Sequence, residues 1–274
     1  MQQEEKTELA RWLTHHLVNE FREHGMAVPS DVVHIAADPN ATFEHLWLSF
    51  RALVNMRPAR PTTCEFLVKQ DLLLAAMIND AGITTLAAAE PAPETERIRL
   101  WRGDITTLAV DAIVNAANSG MTGCWQPLHY CIDNAIHTFA GIQLRAEMAE
   151  LMQAQGHEEP TAHARITSAY NLPAKHIVHT VGPIASGHPT DQHRRELAQC
   201  YTACLDLAEA NGCLSIAFCC ISTGVFGFPQ EEAARIAVDT VRAWLANHPG
   251  SSIIVVFNVF GEADETIYRT ILNI

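Results

Sequence analysis

From Ile98 onward, short apolar runs alternate with stretches of helical periodicity, and this alternation constrains the fold more than any other feature of the chain. Ile98–Trp101, Ala112–Asn115, Arg165–Ser168, Ile177–Val181, Ser215–Cys220 and Ser252–Phe257 read as strands. Residues 132–153 read as one long helix, and helices over 191–210, 230–247 and 262–272 separate the later strands. Strands that alternate with helices need a sheet covered on both faces. The fold class expected is therefore α/β. Such sheets place ligands in a crevice at the carboxyl ends of their strands. The loops that follow the strands here are rich in Gly, Asn, Ser or Cys, so function is sought in them.

The first ninety residues carry a different pattern. Leu9, Trp12, Leu13, Leu17 and Phe21 recur at helical spacing, as do Phe43, Leu46, Trp47, Phe50 and Leu53, and 66–78 is a third, strongly apolar helix. Pro29, Pro39, Pro58 and Pro61 punctuate them. His15, His16, His24, His34 and His45 read as helix-surface or core histidines, and no catalytic cluster stands out. The Pro- and Glu-rich stretch 88–96 reads as a linker. Two units follow: a helical region over 1–90 and an α/β domain over 96–274.

Charge narrows the partners. Eighteen basic residues against 31 acidic ones leave a net charge of −13. A broad electrostatic grip on nucleic acid or on an anionic membrane is excluded on that balance. An anionic ligand can still bind through backbone amides and helix N-termini. The opening Met-Gln-Gln-Glu-Glu lacks a basic stretch and an apolar core, so no secretory leader is expected, and no apolar run approaches the roughly 20 residues of a membrane span. Eight cysteines, two of them adjacent at Cys219 and Cys220 in an apolar run, point to reduced, mostly buried thiols in a cytoplasmic protein.

Three segments carry candidate chemistry. Gly103-Asp-Ile-Thr106 and Val114-Asn-Ala-Ala-Asn-Ser119 each read singly as a turn and a helix cap. In Ser222-Thr-Gly-Val-Phe-Gly-Phe-Pro229, two glycines let the backbone approach a ligand, and the loop amides can form an anion-binding nest. Phe226, between the glycines, is expected to face a ligand. The third segment runs from Gly123 to His137. It places Cys124, His129 and Cys131 within eight residues, and thiolates and imidazole are the preferred ligands of zinc. By spacing alone, two buried thiols and a surface histidine read equally well. Three ligands rather than four suit a zinc ion with an open position. Asp133, two residues on, stands where it could cap a helix or act as a general base.

Taken together, these segments and His176-Ile-Val-His-Thr-Val-Gly-Pro183 occur in the order and spacing of the macrodomain family, over about 96–274. The run from Gly123 to Asn134 resembles the zinc-dependent branch of microbial protein-ADP-ribose hydrolases. The resemblance implies a three-layer α/β/α macrodomain with a mixed central sheet, preceded by a helical N-terminal unit. It implies that Asp104 and the Ile105 amide bind adenine and that Asn118 contacts the distal ribose. Cys124, His129 and Cys131 would hold Zn2+ beside that ribose, with Cys131, Ile132 and Asp133 in reach of the ligand. Asp133 would be the catalytic aspartate, with Asn118 as its companion. Ser222, Thr223, Gly224, Val225 and Phe226 would wrap the diphosphate, and 257–260 would border the adenine.

The expected activity is zinc-dependent hydrolysis of ADP-ribose from modified protein side chains. The substrate protein would be one modified by a sirtuin-type transferase, a frequent genetic neighbour of this branch. An ADP-ribose reader without turnover, or an esterase acting on O-acyl-ADP-ribose, are the alternatives. The usual Gly-rich run before the aspartate is replaced here by the Cys/His segment, so the details of metal-free relatives do not transfer.

Overall fold

Four helices open the chain in the computed structural model, which describes residues 1–274: α1 (Gln3–Glu23), α2 (Ser30–Ala37), α3 (Phe43–Met56) and α4 (Cys64–Ala81). Thr42 and Thr63 cap α3 and α4, their hydroxyls accepting from the amides of His45 (3.4 Å) and Phe66 (3.1 Å). The apolar stripes meet as their spacing requires. Leu13, Leu17 and Phe21 pack with Leu46, Phe50 and Leu53 of α3 and with Phe66, Leu73 and Leu74 of α4. Each such side chain contributes about 1.5–3 kcal/mol on burial. Helix α2 was not anticipated. It has eight residues and buries only Val32 and Ala36, too little for a periodicity to register. His15, His24, His34 and His45 are exposed, and His16 stacks on Trp12.

The rest of the chain builds nine strands and five helices. The strands are β1 (Thr84–Thr85), β2 (Glu90–Ala92), β3 (Thr95–Arg102), β4 (Leu108–Ala109), β5 (Ala112–Ala117), β6 (Ala164–Ser168), β7 (His176–Val181), β8 (Ser215–Phe218) and β9 (Ile254–Val259). The helices are α5 (Ile132–Ala140), α6 (Ile142–Gln155), α7 (Asp191–Ala210), α8 (Gln230–Asn247) and α9 (Glu262–Leu272). Seven strands form a mixed sheet in the order β2-β3-β9-β8-β5-β7-β6, and β1 pairs with β4 apart from it. The five central strands are parallel, and β2 and β6 run antiparallel at the two edges. Every residue of β8 and nearly every residue of β5, β7 and β9 is buried, as a sheet sandwiched between helices demands. The expected three-layer α/β architecture is the one observed.

Two readings are corrected. The stretch 88–96 is not a free linker, because Glu90–Ala92 pairs with β3 as an edge strand. Its composition misleads because Pro91, which cannot donate to a ladder, is tolerated only where no further strand follows. The helix expected over 132–153 is two helices, broken at Gly141 with φ of 99°. A Cβ there would lie 2.6 Å from Gln143 Oε1 and 2.7 Å from Gln70 Nε2. Gln70, on α4, accepts the Ile142 amide at 3.1 Å, so a side chain from the N-terminal helices caps the new start. Ile142 joins the N-terminal core and Ile78 of α4 joins the core beneath the sheet, which ties the two parts together. The eight cysteines are all free, and no helix is long and apolar enough to cross a membrane.

Candidate functional site

Strands β3, β9, β8, β5 and β7 are neighbours and parallel, so the loops after them gather at one rim of the sheet. Asp133 lies there. It is not the cap of α5. That position belongs to Cys131, whose Sγ accepts from the Asn134 amide at 3.4 Å. Asp133 sits in the first turn of α5, where its carboxylate is favoured by the helix dipole, and it is 5% exposed. Burial pushes its carboxyl up to about 6. Two amide donors and the positive charge of Arg145 act the other way. Asn115 Nδ2, from inside β5, donates to Oδ1 at 2.8 Å, and Asn118 Nδ2, just beyond the strand, donates to Oδ2 at 3.2 Å. A buried carboxylate with both oxygens engaged is held in one orientation.

The Cys/His segment lies against it. Cys124 Sγ is 3.4 Å from His129 Nδ1, and the donor atoms of Cys124, His129 and Cys131 all lie within 4.8 Å of one another. Burial, with Cys124 and Asp133 nearby, pushes the Cys131 thiol up to about 12, so without a cation that thiol stays protonated. These three side chains could hold a metal ion, and thiolate and imidazole are donors that zinc prefers.

What holds this loop comes from outside it. Arg51 Nη2, on α3, donates to the His129 carbonyl (3.3 Å) and to Asn134 Oδ1 (2.8 Å). Asn55 Oδ1 accepts the amide of Leu128 (3.0 Å), a residue held in the left-handed region with φ of 56°. Arg145, on α6, is a strut. Its Nε donates to the Thr122 carbonyl, its Nη2 to that of Cys124, and its Nη1 to those of Val54, Asn55 and Arg57. Gly123, with φ of 84°, lies over the ring of His137, where a Cβ would come within 2.7 Å. The N-terminal helices thus form the floor of the Cys/His segment.

Across the rim, the loop after β8 is folded tightly on itself. Ser222 adopts φ of 66°, and its carbonyl accepts the Phe228 amide at 2.9 Å. The Phe226 carbonyl accepts from Ala185 and Ser186 of the loop after β7, at 2.9 and 3.0 Å. The amides of Gly224, Val225 and Phe226 donate to no protein acceptor, and neither do those of Ile132 and Asp133 at the start of α5. Unpaired amides in a loop or at a helix start are groups that can receive an anion. Thr223 is half-buried. Phe226 is half-buried rather than fully exposed, and the Ser222 hydroxyl is buried without a partner. After β3, Asp104 Oδ1 accepts from the amide and hydroxyl of Thr106 (2.9 and 2.7 Å), which leaves Oδ2 open to solvent beside the Ile105 amide. In 257–260, Phe257 is buried against Tyr268, Asn258 and Val259 are buried too, and Phe260 is 79% exposed.

The structure therefore brings Asn118, Cys124, His129, Cys131, Ile132 and Asp133 together at the end of β5. It sets 222–226 and Asp104–Ile105 on the ends of other strands of the same sheet. The sequence reading gave no role to Asn115, Arg145, Arg51 or Asn55. Asn115 had a signal, a polar residue inside an apolar strand. The other three had none, since their partners lie on segments distant in sequence.

The Macro domain family profile matches residues 114–237. A protein-ADP-ribose hydrolase of Treponema medium is 54% identical over 254 residues, covering 91% of this chain and 92% of that one. A protein-ADP-ribose hydrolase of Staphylococcus aureus (strain MSSA476) is 48% identical over 234 residues, covering 85% of this chain and 87% of that one. The crystal structure of the Trypanosoma brucei macrodomain in complex with ADP-ribose superposes with a TM-score of 0.63 at 30% identity, covering 81% of this chain and 94% of that one.

Proposed function

We propose that this chain, which belongs to the macro domain family and groups with its protein-ADP-ribose hydrolases, releases ADP-ribose from modified protein side chains with the help of a zinc ion. The observation that carries the reading is Asp133: a buried carboxylate, oriented by two amide donors, next to three zinc-type ligands on the rim that also bears the unpaired amides. In this reading, 96–274 holds the ligand and 1–90 buttresses the Cys/His segment.

The amides of Gly224, Val225 and Phe226 receive the diphosphate, and Asp104 Oδ2 accepts from the adenine amino group. Asn118 and the segment around Cys131 then hold the distal ribose near Asp133. Fixing the substrate at both ends converts binding into alignment of its anomeric carbon. Asp133 accepts a proton from water as the water oxygen bonds to that carbon. The bond from the carbon to the acceptor side chain breaks, and the proton passes on to the acceptor. Zinc on Cys124, His129 and Cys131 would supply a Lewis acid that orients the ribose or lowers the pKa of a bound water.

Two measurements test the reading. Purified protein is expected to hold about one zinc per chain, and Cys131→Ala to lose most of it by elemental analysis. Full retention in the variant would remove these residues as ligands. Wild type is expected to release ADP-ribose from a modified protein. Binding without release from any modified protein would favour the reader, and release only from O-acyl-ADP-ribose the esterase.

Asp104→Asn addresses the adenine end. Asn keeps an oxygen for Thr106 but turns a donor towards another donor. A lost charge-assisted hydrogen bond is worth about 1.5–3 kcal/mol, so the Kd for ADP-ribose should rise by about 10-fold or more. Calorimetry reads this directly, and an unchanged Kd would take Asp104 out of the adenine site.

A further inference from the structure

One chain of buried hydrogen bonds behind Asp133 is unaccounted for by ligand or metal. Asn115 and His179 are register partners on the neighbouring parallel strands β5 and β7. Thr167 lies diagonally across from His179 on β6, so all three side chains can meet on one face of the sheet. They do. Asn115 Nδ2 lies 2.8 Å from Asp133 Oδ1 and 3.1 Å from His179 Nδ1, and His179 Nε2 lies 3.0 Å from Thr167 Oγ1. Asn115 and His179 are wholly buried, and Thr167 is 3% exposed.

The directions of these bonds follow from donor and acceptor chemistry. An ionised carboxylate only accepts, so the nitrogen of the Asn115 amide must face Asp133. That nitrogen only donates, so His179 Nδ1 must carry a lone pair. The imidazole hydrogen is then on Nε2, and Thr167 Oγ1 accepts it. Burial pushes the His179 imidazole down to about 3, which keeps it neutral in this tautomer at ordinary pH. Asn115 Oδ1 has no partner, so the amide is oriented by its two acceptors and by nothing on its other side. Removing the acceptor at His179 would leave one of the two.

We propose that Thr167 and His179 are positioning residues for the hydrolysis: they lock the Asn115 amide, and through it hold the Asp133 carboxylate at the angle at which it meets water. This rests on the hydrolase reading above. A general base misaligned even slightly loses much of its advantage, because proton transfer and attack need one geometry.

The test sets stability against activity. His179→Leu roughly preserves volume and apolar burial but removes the acceptor. His179→Asn places an oxygen at the same distance along the side chain as Nδ1, yet leaves a cavity and a buried amide. Asn should therefore be the less stable variant and Leu the less active one. We expect kcat for release of ADP-ribose to fall about 10–100-fold in His179→Leu, with ADP-ribose affinity and zinc content near wild type. His179→Asn should recover most of the loss despite a lower Tm. Thr167→Val should lower kcat in the same sense and Thr167→Ser restore it.

If kcat tracks Tm across the four variants, or Asn is no better than Leu, His179 is merely a core residue and the proposal is overturned. A wild type that releases nothing would instead overturn the hydrolase reading. The side-chain amide protons of Asn115, read by NMR, separate the two cases without turnover. One of them should shift in His179→Leu and return in His179→Asn, and an unchanged signal would overturn the relay itself.

Discussion

Asp133→Asn is expected to lower release of ADP-ribose from a modified protein by about 10²–10⁴-fold, the usual contribution of a positioned general base. The fold should survive the change. Asp133 is not the N-cap of α5, so no cap is lost. One oxygen of Asn can still accept from Asn115, while its amide nitrogen would face that of Asn118. The Asn118 amide stays in place, because its Nδ2 still donates to the Gly123 carbonyl at 3.2 Å and its Oδ1 still accepts the Gly120 amide at 3.0 Å, so only the bond to residue 133 is lost. The lost hydrogen bond is offset because a neutral amide is easier to bury than a carboxylate. Melting temperature, zinc content and ADP-ribose affinity should then all lie near wild type while turnover collapses. Equal rates for the two proteins would sink the catalytic role. A collapse of Tm alongside the rate would show that the carboxylate is chiefly structural.

Arg145→Met should be the most destabilising change at the site. The side chain is 5% exposed, and burial brings its guanidinium down to about 10. Its planar fork collects the carbonyls of Val54 (2.9 Å), Asn55 (2.8 Å) and Arg57 (2.7 Å) at the end of α3, together with that of Thr122 (2.7 Å). Trp125 packs on the guanidinium at 4.3 Å. These carbonyls have no partner further along the helix, and methionine offers none. Breaking a buried network of this kind costs about 3–5 kcal/mol. For a chain of this size that is a fall in Tm of about 6–20 °C.

Zinc content should fall as well, since Thr122 and Cys124 lead into the ligand segment. Arg145→Lys should restore little, because a compact ammonium cannot span the same five acceptors. A methionine variant that melts within a degree or two of wild type, with its zinc intact, would show that Arg145 is no strut.

Much of the architecture was legible because it rests on local rules. The stripe of Leu13, Leu17 and Phe21, the unbroken apolar run of β8, and the helices over 191–210, 230–247 and 262–272 each declare themselves within a few turns or strand residues. So did the Cys124, His129 and Cys131 cluster, since all three ligands fall on one short segment. Where expectation failed, a distant partner decided. Nothing within 132–153 announces that Gln70 will seize the Ile142 amide and allow a break at Gly141. Pro91 marks a linker or an edge strand with equal right until β3 lies beside it.

By itself, the sequence determined which elements form, which face of each is apolar and which side chains could carry chemistry, because periodicity and ligand type are properties of neighbouring residues. Only the tertiary structure decided what those side chains are. It made Cys131 the helix cap and turned the Asp133 carboxylate to the side-chain amides of Asn115 and Asn118. It ran the amide of Asn115 between Asp133 and His179. It turned α3 and Arg145 into the floor of the Cys/His segment. A hydrogen bond depends on the position and direction of two groups in space, and neither is set until strands far apart in the chain have taken their places in one sheet.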